Sequence, residues 1–258
     1  MGLALFNTPT LLGGQAARAG LSCASCHVNG RDNAHFLLPS LSGAPGTADV
    51  TNSFFGIARA NGHHDPVAIP DLARPGKVPR ASGDGVLPIF IRNLIVDEFS
   101  GAEPSASTLL ALTQYVRAVA PCAGGDDRPQ KRQLNDQLTL IRAAVESAAA
   151  EVRGGSAATG SAGEGAVIPL LIAGARHQLG LIAERYAAKS LAGERRMLLQ
   201  ASTRLRAISD HQDSAVFAAA LDRWRQDFDG KIAPRLAARE ASSLYNENAV
   251  AAFLAEKN

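Results

Sequence analysis

The chain has 258 residues, 46% of them hydrophobic, enough for one large or two modest packed cores, and 26 Lys and Arg against 24 Asp and Glu leave a net charge of only +2. So even a balance excludes the clustered basic surface that nucleic acid requires. Arg, Gly, Pro or Asp interrupts every apolar stretch before it reaches about 18 residues, so no membrane-spanning segment is expected.

In chain order, the N-terminal stretch MGLALFNTPTLLGG has no basic segment, and Pro9 breaks its one apolar run. It does not read as a signal peptide, and any export signal is expected upstream. Up to about residue 130 the pattern is of short helices between turns: GGQ at 13, PGT at 45, NGHHDP at 61 and RPGKVPRASGDG at 74. Strand-like alternation is scarce. The best periodic segment is Ser107 to Val119, where Leu109, Leu112, Val116 and Val119 predict a helix behind a Ser-rich start.

From Pro129 the pattern becomes long, Ala-rich and charged. Leu134, Leu138, Ile141, Val145, Ala148 and Val152 form one helical stripe, and after a Gly/Ser/Ala linker (Gly154 to Gly165) Leu171, Ala175, Leu179, Ile182 and Tyr186 form a second. Leu198, Ala201, Leu205 and Ile208 make a third, and Phe217, Leu221, Trp224, Phe228 and Ile232 a fourth. The predicted class is therefore all-α, with a first domain at 1–125 and, past the Cys122-Ala-Gly-Gly-Asp-Asp junction, an up-and-down four-helix bundle at 126–258.

The chemistry is carried by Ser-Cys-Ala-Ser-Cys-His at 22–27, in which Cys23, Cys26 and His27 form C-x-x-C-H. Two thiols three positions apart on one helical turn can each add to a haem vinyl group, and the adjacent imidazole then faces the iron. This predicts one covalent haem c, with His27 as its ligand. A structural zinc site would have to recruit a distant fourth ligand such as Cys122, and a thioredoxin-like pair would need a βαβ context that is absent. Cys122 itself reads as a lone thiol at a helix end.

Around this motif, LFNTPTLLGGQAARAGLSCASCHVNGR (5–31) resembles the haem-attachment segment of bacterial di-haem cytochrome c peroxidases and related c-type cytochrome domains. PSLSGAPGTADV, AIPDL, GVLPIFIRNLIVDEFSG and TLLALTQYVRAV are similar in style, so the resemblance covers about residues 3 to 120. It implies a mainly helical cytochrome c fold, a proximal role for His27, and a periplasmic or otherwise extracytoplasmic location. Residues 126–258 carry no such resemblance. Two departures matter: the di-haem family has two C-x-x-C-H motifs where this chain has one, and the usual distal Met has no counterpart, since the only methionines are Met1 and Met197.

The remaining distal candidates are histidines. His63 and His64, in the turn-rich Asn-Gly-His-His-Asp-Pro loop, are the leading choice. His35, eight residues after His27, is within reach of an extended chain, but only just. His177, His211 and Met197 read as residues of the C-terminal helices, and an open or water-bound iron is the remaining alternative. Among Arg18, Arg31, Arg59, Arg74, Arg80 and Arg92, Arg31 and Arg80 are the candidates for pairing with the haem propionates. Phe36, Phe54, Phe55, Ile57, Leu72, Leu87, Ile89, Phe90 and Leu94 are the candidate apolar pocket.

Electron transfer to and from a redox partner protein is the favoured function. A peroxidase-type oxidoreductase is the first alternative, requiring an open distal site and an acid/base group from His63, His64, Asp84 or Glu98. A haem redox sensor or scaffold read out by the C-terminal bundle is the second.

Overall fold

The computed structural model describes residues 1–80, 85–120, 132–154, 166–211 and 213–255. It is mostly helical, at 63% helix. The chain divides into two compact units, Met1–Lys131 with Ala162–Leu170, and Arg132–Ser161 with Leu171–Asn258. The expected domain boundary at 125/126 and Cys122 lie outside the described residues, as does most of the Gly/Ser/Ala linker.

In the first unit, short helices α1 (Gly2–Phe6), α2 (Gly14–Arg18) and α3 (Cys23–Cys26) are followed by loops, with one small antiparallel pair of strands, β1 (Thr47–Ala48) and β2 (Val67–Ala68). Helix α4 (Val86–Asn93) runs into a wide turn at Leu94–Glu98, and α5 is Ala106–Ala118. The predicted helix at 107–119 is thus found one residue earlier, because Ser105 Oγ accepts the Thr108 N–H and sets its start. Helix α1 packs on α5. Gly2 permits the approach: a Cβ there would lie 2.1 Å from the Ala111 carbonyl oxygen. Phe6 and Tyr115 then meet with ring centroids 4.9 Å apart, over a core of Leu5, Leu87, Ile95, Leu112 and Val116.

The second unit holds α6 (Leu134–Arg153), α7 (Val167–Arg185, whose first turn belongs to the first unit), α8 (Ala192–Ser209), α9 (Ser214–Asp227), α10 (Ala233–Arg239) and α11 (Glu247–Ala255). Every residue of the four apolar stripes is buried, Trp224 included, and α9 packs against both α6 and α8. The Trp224 indole N–H donates to the Ala201 carbonyl at 3.1 Å and stacks on Phe228, with centroids 5.0 Å apart. The fourth stripe is not one straight helix. A wide turn at Phe228–Ile232 separates α9 from α10, because Pro234 has no N–H to offer the Gly230 carbonyl and its ring crowds that oxygen.

Glu194, in the first turn of α8, is buried and accepts from Arg235 Nε at 2.9 Å. Burial alone would raise its pKa, but the Arg235 hydrogen bond, its own backbone N–H and the Arg235 and Arg239 charges outweigh that and hold it below the usual carboxylate value. A carboxyl with a depressed folded pKa stabilises the fold above its unfolded pKa and loses that contribution as pH falls through the folded value. Arg235→Ala is expected to cost about 2 kcal/mol at neutral pH and to weaken the acid dependence of unfolding, measured by urea titration at pH 7 and pH 4.

Candidate functional site

Helix α3 is a single turn fixed at both ends. Ser22 and Ser25 cap it reciprocally, the Ser22 N–H donating to Ser25 Oγ at 3.0 Å, and His27 leaves the helix at φ −115°, ψ 73°. Asn29 and Gly30 then turn the chain in the left-handed region, at φ 54° and 76°. The turn needs Gly30 twice over, for its positive φ and because a Cβ there would lie 2.5 Å from Val119 Cγ2. Asn33 Nδ2 ties the loop back by donating to the Ser25 carbonyl at 2.8 Å.

Cys23 and Cys26 are therefore brought together on one helical turn, half-buried and not joined in a disulfide. Cys26 packs against Phe36, Ala48 and Ile69. Burial, and secondarily the neighbouring Cys26, push the Cys23 thiol up to about 12, and burial does the same to Cys26. These are protonated thiols in an apolar setting, the opposite of the depressed pKa that a redox-active cysteine pair needs.

His27 Nδ1 lies 3.1 Å from the Arg31 carbonyl oxygen. A carbonyl only accepts, so Nδ1 carries the hydrogen and the neutral ring keeps its lone pair on Nε2. Burial lowers the pKa of His27 more than the Arg31 and Pro70 backbone oxygens and the Asp32 and Asp71 carboxylates raise it. The ring is thus neutral at pH 7, the form in which imidazole binds a metal. A cofactor held by two adjacent thiols and one neutral imidazole fits these three residues. Among the described residues no group of three or more His, Cys, Asp or Glu is arranged to hold a bare metal ion.

The two arginines expected near the propionates meet protein acceptors. Arg31 forks onto Asp71, Nε to Oδ1 and Nη2 to Oδ2, each at 2.7 Å, and Asp71 is buried. Arg80 Nη2 donates to the Leu72 carbonyl and, at 3.1 Å, to that of Val119. Glu98 is paired with Arg59; burial raises its pKa despite that charge. Asp84 lies outside the described residues.

His63 and His64 are exposed and line a cleft with Ser40, Thr51, Asn52 and Ser53. His64 Nδ1 stands 3.9 Å from Asp49 Oδ2, a fully buried carboxylate oxygen with no hydrogen-bond partner, while Asp49 Oδ1 accepts from the Thr51 N–H and hydroxyl. His35 is exposed on its loop; His177, on α7, and Met197, on α8, are half-buried in the second unit. Of the candidate pocket residues, Phe36, Phe55 and Leu87 are buried, Phe54, Leu72 and Leu94 half-buried, and Ile57, Ile89 and Phe90 exposed. The sequence reading missed Asp71, whose arginine partner lies 40 residues away along the chain, and Asp49, whose free oxygen faces a histidine 15 residues away; neither approach leaves a local signal.

Comparison with protein-family models, curated proteins and solved structures returned no match. Among the described residues no helix is long and apolar enough to cross a membrane.

Proposed function

We propose that the chain is an extracytoplasmic c-type cytochrome: residues 1–125 form a cytochrome c-like domain carrying one haem on Cys23 and Cys26, and the protein passes electrons to and from a redox partner. The observation that carries this reading is the capped turn that sets two free, protonated thiols beside a neutral imidazole whose Nδ1 is already committed to the Arg31 carbonyl. Haem would supply a one-electron Fe(III)/Fe(II) couple there, and the chain's part is to attach it, ligate it through His27 and tune it by burial and hydrogen bonding.

For the sixth iron ligand we assign the His63/His64 loop, and within it His64. A metal-bound imidazole ordinarily has its other ring nitrogen fixed by a carboxylate or carbonyl, and the unsatisfied Asp49 Oδ2 faces His64 Nδ1. Ligation by two imidazoles favours ferric iron, lowers the potential and leaves no open position for peroxide. Residues 126–258 are assigned an up-and-down bundle built on α6 to α9, supported by the four buried stripes and the packing of α9 on α6 and α8.

Visible and paramagnetic-resonance spectra of the haem-loaded protein test the functional half. A low-spin resting ferric state, slow cyanide binding and loss of the low-spin signature in His64→Ala are expected. A high-spin resting state that binds cyanide readily and oxidises a reduced cytochrome with peroxide would replace electron transfer by the peroxidase reading.

A further inference from the structure

We propose that the Arg31–Asp71 ion pair is the positioning device for His27: it fixes the carbonyl that holds the ring's Nδ1–H, and through that hydrogen bond it sets the strength of His27 as an iron ligand. The inference deepens the haem reading above and rests on it.

The Arg31 carbonyl belongs to no regular element. It follows two left-handed residues, Asn29 and Gly30, and Arg31 itself is extended, at φ −97°, ψ −158°. Within the turn its N–H donates to the Val28 carbonyl at 2.9 Å. What anchors the residue from outside is its side chain. The guanidinium meets both oxygens of Asp71 at 2.7 Å, the geometry in which Arg and a carboxylate leave each other no freedom to rotate.

Asp71 cannot follow a moving arginine. Its side chain is 6% exposed, and Oδ1 also accepts the Ala73 N–H at 2.8 Å. The Arg31 hydrogen bond, resisted by burial and helped by that N–H, keeps the carboxyl well below the usual range, so the pair stays charged. Arg31 and Asp71 carry opposite charges, so the pair acts on the ring by geometry more than by net field. A firm Nδ1–H···O=C bond makes an imidazole a stronger donor through Nε2, which favours ferric iron.

Two variants of the full haem-loaded chain separate this role from simpler ones. Asp71→Asn removes the charge and the fork, whereas Arg31→Lys keeps the charge and removes only the fork. In both, exchange of the His27 Nδ1 proton with deuterium, followed by NMR of the reduced protein, should be about tenfold faster than in the unsubstituted chain, the factor expected when one ordinary hydrogen bond is loosened. The midpoint potential should rise in both. A potential that rises in Asp71→Asn but not in Arg31→Lys would overturn positioning in favour of a purely electrostatic role. Unchanged exchange in Arg31→Lys, whose retained charge makes it the gentler substitution, would overturn it outright. Absence of covalent haem from the unsubstituted chain would instead bring down the haem reading, which is a distinguishable failure.

Discussion

Truncating Phe228 to alanine should cost about 3–5 kcal/mol, a large share of the roughly 5–15 kcal/mol that holds a folded domain together. The ring is fully buried, lies nearly parallel to the Trp224 indole at an interplanar angle of 11°, and has the Arg142 guanidinium 6.0 Å from its centroid. It also opens the wide turn before Pro234, where the backbone already lacks one hydrogen bond and side-chain packing must hold the α9–α10 bend. Collapse around the lost ring is hindered by the stacked indole. Trp224 is the only tryptophan in the chain, so its fluorescence reports this unit alone during urea unfolding. A midpoint lowered by the equivalent of 3 kcal/mol or more is expected, and a shift worth about 1 kcal/mol or less would mean that the stack is not the keystone of the bend.

The second large effect is expected at the iron that the haem proposal places beside His27. His27→Ala leaves both thiols and their capped turn in place, because Ser22 and Ser25 and not the imidazole define α3. Covalent attachment should therefore survive in part, while the low-spin ferric spectrum is lost completely. The protein should also turn over peroxide faster, since one face of the iron is then open. Retention of an unaltered low-spin spectrum in His27→Ala would remove His27 from the coordination sphere.

How much of this was legible in the sequence follows from the range of each interaction. The stripes through Ile141, Leu179, Leu205 and Leu221 repeat at the helical period, so their burial could be read directly. The motif was legible for the same reason, since Cys23, Cys26 and His27 lie within one turn and its C-cap. The bend at Phe228–Ile232 had a visible cause in Pro234, but its effect was hidden because the apolar stripe runs through it unbroken. Helix α4 was obscured by Pro88, tolerated there because it falls in the first turn, where its missing N–H has no helical partner to lose. The reading of Arg31 as a propionate partner weighed its charge and its place in the same half of the chain as the motif. Its bidentate partner, Asp71, is 40 residues distant, and nothing in AIPDL announces a buried carboxylate. Long-range polar pairs of this kind depend on the loops that bring them together, and loops carry no period.

The most direct measurement is the intact mass, under denaturing conditions, of the full chain produced together with haem-attachment machinery and exported from the cytoplasm. One haem covalently added per chain is the predicted result, lost in the Cys23→Ala/Cys26→Ala double variant. An unmodified mass for the unsubstituted chain, with both thiols still alkylatable, would contradict the account.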